Sequence, residues 1–238
     1  MCSHYEALQL ELFVEHFNAA PPPTWGDGEL DMWPRYGGAF VRISTATGSD
    51  APGPAREALV GRWGLVPSEM KPAKKVDQMK LSTFNARDDR VEKSFTFRGA
   101  WHKGQHCIVP VAAFYEPDWR SGKAIPTRFT RADGKPMGVA GLWDAWTDPA
   151  DGQQQLSFTM LTIDATQHPL LKHYHQLGKE KRMIVVLPEN RFEAWLAARP
   201  EESRAFLQQY PADGLLAKPR PKLPKSTVTP APETDSLL

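Results

Sequence analysis

The chain has 238 residues, with 41% apolar and 24% charged side chains and a formal net charge of +1 at pH 7. That length can bury a full core, as one large domain or two small ones, and the composition is ordinary for a soluble globular protein. The near-zero charge excludes a global pull towards nucleic acid, so any basic surface must be local. Two cysteines, Cys2 and Cys107, do not make a disulfide framework and fit a reducing compartment. Glu6, Glu11 and Glu15 interrupt the first stretch, so no signal peptide is read there. No later run approaches membrane-spanning length, and a cytoplasmic, monomeric protein is expected.

The predicted elements begin almost at the N-terminus. Residues 6–17, EALQLELFVEHF, place Leu8, Leu12, Phe13 and Phe17 at helical spacing and predict an amphipathic helix. AAPPPTWGDGELD then breaks structure with three prolines and two glycines. Five short apolar runs bounded by turn residues predict strands at 58–67, 106–116, 137–146, 156–164 and 182–188. RADGKP and DPADGQ supply Asp-Gly turn chemistry for hairpin connections between such runs. The fold class expected is α+β, with a mostly antiparallel, barrel-like β-sheet core and flanking helices. Asn190, with Glu193 three residues on, has the form of a helix start, with Phe192, Trp195 and Leu196 on the buried face. Pro200 should end that helix, and EESRAFLQQY should start another. From Tyr210 to Leu238 there are six prolines and few large apolar residues. The domain is therefore placed at residues 1–208, with 209–238 as an extended, partly disordered, Pro-rich appendage.

The candidates for chemistry start at Cys2. Removal of Met1, usual before a small second residue, would give Cys2 a free α-amine beside its thiol, a pair suited to capturing aldehydes. Asn85 and Arg87 in STFNARDD point to one side if that segment is extended, although Asn and Asp also favour surface turns. Glu116 closes the strand CIVPVAAFYE, where partial burial would raise its pKa and suit it to proton transfer. His173 and His175 would share a strand face, but no third ligand stands at a recognisable spacing, so no metal or cofactor is expected.

Taken together, MC at the start, WGLVPS (63–68), FNAR (84–87), CIVPVAAFYE (107–116), VAGLW (139–143), FTMLTIDA (158–165) and HYHQLGKEKRMIVVL (173–187) closely resemble the SRAP family. The resemblance covers roughly residues 2–208, with the blocks in family order. It implies an SRAP-type fold and an abasic-site processing protein that traps damaged single-stranded DNA. Carried over block by block, it implies Cys2 as nucleophile, with Asn85, Glu116 and His175 as the remaining catalytic residues; His173 and His168 compete for the histidine's place. Ser3 and His4 replace the family's Gly-Arg, Pro117 stands where tryptophan is common, and NARDD replaces the usual NARxET.

An abasic site exposes an aldehyde at C1′. The Cys2 amine, with an unperturbed pKa of about 7.7–8.0, can form a Schiff base there, and the thiol can close it to a thiazolidine. The resemblance also implies some lyase-type strand cleavage and self-removal of Met1, a peptidase activity. The expected partner is single-stranded DNA containing abasic sites. Its contacts are placed on His4, on Lys71, Lys74 and Lys75 of MKPAKK with Lys80, on Arg87, and on Lys181 and Arg182 of KEKR, with Arg128 as a further contributor. Trp63 and Trp101 are candidate stacking platforms, although burial is the commoner fate of tryptophan. The alternative reading is an N-terminal cysteine amidohydrolase acting on small amides or peptides.

Overall fold

The computed structural model describes residues 2–22, 30–44, 56–70 and 82–220. Met1, Lys71, Lys74, Lys75, Lys80 and the tail from residue 221 lie outside the described residues. In chain order the strands are β1 (Tyr5–Ala7), β2 (Asp31–Met32), β3 (Gly37–Ile43), β4 (Arg56–Trp63), β5 (Asn85–Arg87) and β6 (His106–Asp118). They continue with β7 (Ile125–Arg131), β8 (Met137–Thr147), β9 (Gln154–Asp164), β10 (Arg182–Ile184), β11 (Val186–Leu187) and β12 (Leu215–Pro219). Three α-helices accompany them among the described residues: α1 (Glu11–Phe17), α2 (Phe95–His102) and α3 (Phe192–Ala197).

Five strands close into a mixed barrel. β8 pairs with β9, β9 runs parallel to β4, β4 pairs with β3, β3 with β6, and β6 returns to β8. This is the α+β, barrel-like core expected of the sequence. The interior is filled by large side chains such as Trp63, Phe40, Phe158 and Met160, all fully buried. Removing such surface from water supplies about 25 cal/mol per Å², the main force holding the strands together. α3 closes one flank: Trp195 is buried, donates its indole N–H to the Cys107 carbonyl at 2.8 Å, and neighbours Phe192, which stacks on Phe17 of α1.

β6 is long enough to serve two neighbours along its length. Residues 106–111 pair with β8, and 114–118 pair with β7. RADGKP therefore joins two strands that share β6 rather than forming a hairpin with each other. DPADGQ does form one, between β8 and β9, closing on Thr147 opposite Gln154. The predicted helix over 6–17 is shorter than its periodicity implies. Tyr5 and Ala7 alternate inward and pair with β6, so long-range hydrogen bonding takes this segment into the sheet. The run 182–188 is split: Met183 pairs with β9, the Val185 amide donates to Leu161, and Val186 pairs with β8, so the strand turns a barrel corner.

Asn190 sits in a 3-10 turn and makes no cap, so the helix starts at Phe192. Pro200 opens a 3-10 segment, Pro200–Phe206, rather than an α-helix. Past residue 208, β12 pairs with β7 over five residues, which carries the folded sheet to Pro219. No helix among the described residues is long and apolar enough to cross a membrane.

The barrel's tightness is testable at two glycines on different strands. A Cβ on Gly141 would lie 2.6 Å from the Thr159 carbonyl oxygen and 3.0 Å from Cys107 Sγ, whereas one on Gly37 meets only Val60 at 3.5 Å. Gly141→Ala should lower unfolding free energy by roughly 1–3 kcal/mol, the usual cost of overpacking, while Gly37→Ala should stay close to wild type. Equal denaturation midpoints for the two variants would contradict this packing.

Candidate active site

Strand pairing brings Cys2, Asn85, Glu116 and His175 into one place, from four separate parts of the chain. β1 lies antiparallel to the end of β6, with Tyr5 opposite Phe114 and the Tyr115 amide donating to the His4 carbonyl at 3.0 Å. That pairing carries Cys2 to the level of Glu116. Asn85 arrives on β5, held parallel to β9 opposite Met160. Its Nδ2 donates to the Cys2 carbonyl at 2.6 Å, so the amide orients the residue that carries the thiol. His175 follows a bridge between Asp118 and Tyr174, and its amide donates to the Pro117 carbonyl at 3.0 Å.

His175 has φ of 67°, a left-handed conformation that a non-glycine residue adopts at some cost. Its neighbours hold it there. Nε2 lies 3.0 Å from the Arg182 carbonyl oxygen and Nδ1 lies 3.2 Å from Glu116 Oε2. Of the competing histidines, His168 accepts the amides of Leu170 and Leu171 at Nδ1 and so organises its own turn, while His173 is exposed. His175 is the one that reaches Glu116.

The electrostatics follow from burial. Cys2, Glu116 and His175 are 1%, 3% and 8% exposed, so each favours its neutral form. Burial raises the Glu116 carboxyl to about 7, and burial lowers His175 to about 4. Burial, reinforced by the nearby Glu116 carboxylate, pushes the Cys2 thiol up to about 12. The tautomer of a neutral His175 then follows from its partners. A carbonyl can only accept, so Nε2 carries the hydrogen and Nδ1 presents a lone pair to Glu116. The group of this pair that titrates near neutrality is the Glu116 carboxyl. Asn85 Oδ1 and the Tyr5 hydroxyl are buried polar atoms beside this cluster without a hydrogen-bond partner among the described residues.

The residues expected to contact DNA are dispersed. Arg182 is 3% exposed, and its guanidinium is held by Asp88, Glu180 and Thr162. That burial removes it from any surface a strand could touch and makes it a strut beneath the His175 loop. Arg87 is paired with both Asp89 and Glu180, which raises its pKa and leaves it half-buried. Lys181 donates to the His175 and Gln176 carbonyls, at 2.9 and 3.0 Å. Arg128 pairs with Glu6. Trp63 and Trp101 are both buried, Trp63 with its indole N–H on the Phe84 carbonyl at 3.0 Å, so neither serves as a stacking platform. His4 is paired with Asp31 and sandwiched between Trp33 and Tyr115. Trp33 and Asp31 were not singled out in the sequence; the only local signal is an aromatic next to a proline in DMWPRY.

Comparison with known proteins places this arrangement. The family model described as SOS response associated peptidase (SRAP) matches residues 1–222. A crystal structure of a Bordetella bronchiseptica protein superposes with a TM-score of 0.84 at 50% identity, covering 93% of this chain and all of that one. A Bacteroides thetaiotaomicron crystal structure shares the fold at a TM-score of 0.75 and 22% identity, over 92% of this chain and 91% of that one. Abasic site processing protein HMCES of Xenopus tropicalis is 27% identical over 172 residues, 61% of this chain and 50% of its own length. The Gallus gallus protein of the same name is 27% identical over 185 residues, 68% of this chain and 52% of its own length. The chain thus spans about half the length of the curated relatives it matches. With a family match that runs through all four converging side chains to residue 222, the chain belongs to the SOS response associated peptidase (SRAP) family.

Proposed function

We propose that this protein captures abasic sites in single-stranded DNA as a covalent thiazolidine on Cys2, after removal of Met1. The observation that carries the reading is the convergence on Cys2 of a positioning amide, Asn85, and a buried carboxyl–imidazole pair, Glu116 and His175. The relatives named for abasic-site processing support it.

Each step balances. Hydrolysis of the Met1–Cys2 peptide bond consumes one water and frees the α-amine. That amine adds to C1′ of the ring-opened sugar, and loss of water gives the imine. The S–H bond then adds across C=N, with sulfur going to carbon and the proton to nitrogen. A thiol held neutral by burial suits this order, because the amine attacks first and the thiol follows intramolecularly. The same protonation state disfavours direct thiolate attack on an amide, the first step of the amidohydrolase alternative. Glu116 takes the amine's proton on attack and returns one to the departing water. His175, neutral and with Nδ1 turned towards Glu116, orients that carboxyl and assists ring opening. From the imine, loss of a proton at C2′ with departure of the 3′ phosphate is the lyase side reaction.

Incubation with an oligonucleotide carrying one abasic site, followed by a denaturing gel, should show a shifted band without any reductant. Cys2→Ala, or a tag that keeps the Cys2 amine in a peptide bond, should abolish the band. Normal crosslinking by a tagged, unprocessed chain would refute the role given to the amine.

The pH dependence has a defined sign. Glu116 accepts the amine's proton only as a carboxylate, so the rate should rise as pH passes upward through about 7. The α-amine adds a second rise near its own pKa of about 7.7–8.0. Glu116→Gln should slow adduct formation by roughly 10²–10⁴-fold, the usual share of general acid–base catalysis, and lose the rise near 7. An unaltered profile in that variant would assign proton transfer elsewhere.

A further inference from the structure

His4 occupies the position at which the family pattern has an arginine, and the structure puts it to a different use. Its ring is 4.2 Å from Trp33 and 4.0 Å from Tyr115, each within 9° of parallel, giving a three-ring stack two residues from Cys2. Asp31 grips the imidazole edge, and Tyr115 fixes the His4 backbone through its amide. Trp33 ends the stack. It is 42% exposed, an unusual fate for so large an apolar side chain beside a candidate active site. It faces a groove of about 680 Å³ that also includes Leu12, Leu30, Pro126 and Arg220. That volume falls within the range of small-molecule sites. The far wall is cationic in balance, because Arg128 and Arg220 both converge on the single carboxylate of Glu6, and the Arg220 side chain is 65% exposed.

An open aromatic face, a groove sized for a small planar group and an accessible guanidinium together fit one ligand chemistry: a nucleobase with its phosphate. We infer that Trp33 stacks the base of the nucleotide flanking the abasic site, with Arg220 against that nucleotide's phosphate. This rests on the abasic-site reading and names how the strand is gripped beside Cys2. His4 and Tyr115 are positioning residues that hold the indole flat. A lesion has no base of its own, so an intact neighbour is the natural handle. Stacking is tolerant of sequence because every base has a π-face.

The test uses single strands with one abasic site whose neighbours are either natural nucleotides or tetrahydrofuran spacers, placed 5′, 3′ or on both sides. The spacer lacks both a base and an aldehyde. With subsaturating wild-type protein, a spacer on one side should slow crosslinking about tenfold, within the range for loss of one base–aromatic stack. In Trp33→Ala that flank effect should collapse to about onefold, and Trp33→Phe should retain most of it. Wild-type rates indifferent to spacers, or a full flank effect in Trp33→Ala, would overturn the inference. Equilibrium binding of the same strands to Cys2→Ala protein, with and without Trp33→Ala, reads the stack without the covalent step. Flank-dependent binding there with no adduct in wild type would sink the crosslink and keep the stack.

Discussion

The site depends on the antiparallel pairing of β1 with the end of β6. A residue so near the start of the chain has little structure of its own, and Cys2 gains a fixed position because Tyr5, Glu6 and Ala7 are paired into the sheet and Asn85 holds its carbonyl. The same pairing puts Glu116 at the height of Cys2, since both lie just beyond the paired Tyr5–Phe114 position. Strand alternation then sorts the side chains. Tyr5 and Ala7 turn into the barrel, while His4 and Glu6 face the groove outside. One short ladder therefore fixes Cys2, Glu116 and the aromatic surface beside them. A slip of one residue would exchange the two faces and dismantle all three.

Burial does the second part. Removing a carboxyl and an imidazole from water moves their pKa values past each other, Glu116 upward and His175 downward. At neutral pH His175 is therefore uncharged and Glu116 stands near its midpoint, where in water glutamate would be charged and histidine near its midpoint. The price is structural: a left-handed His175 and a buried Arg182 have to be held in place. Arg182 serves this through its own carbonyl, which orients His175 Nε2, while Asp88, Glu180 and Thr162 satisfy its guanidinium. Within KEKR, Arg182 is therefore scaffold, while Lys179 and Glu180 remain exposed.

Much of this was legible in the sequence, for identifiable reasons. The strands over 106–116, 137–146 and 156–164 announce themselves as apolar runs because they are central to the barrel and buried on their length. Cys2, Asn85, Glu116 and His175 were legible through their sequence blocks, which carry chemical type even where spacing in the fold is invisible. What failed was information about partners. Glu6 and Ala7 open the stretch read as a helix over 6–17, yet sheet hydrogen bonds claim them. Lys and Arg in loops look alike in sequence whether solvated or locked, so Arg182 was indistinguishable from Lys181. Trp63 and Trp33 looked equivalent too, and only packing shows the first inside the barrel and the second at its rim.

That last contrast bears on how a chain of net charge +1 could hold a polyanion. Several cations near the site are already engaged by carboxylates: Arg87 by Asp89 and Glu180, Arg182 by Asp88 and Glu180, Arg128 by Glu6, Arg120 by Asp118. Such pairs cannot each release a counterion's worth of affinity on meeting a phosphate, because the field they present is largely cancelled. Among the described residues, the exposed face of Trp33 offers a second means of holding an unpaired strand. Unlike a phosphate contact, it is lost wherever bases are paired and stacked within a duplex. A protein that holds its substrate this way selects unpaired strands by physics alone, without reading any base.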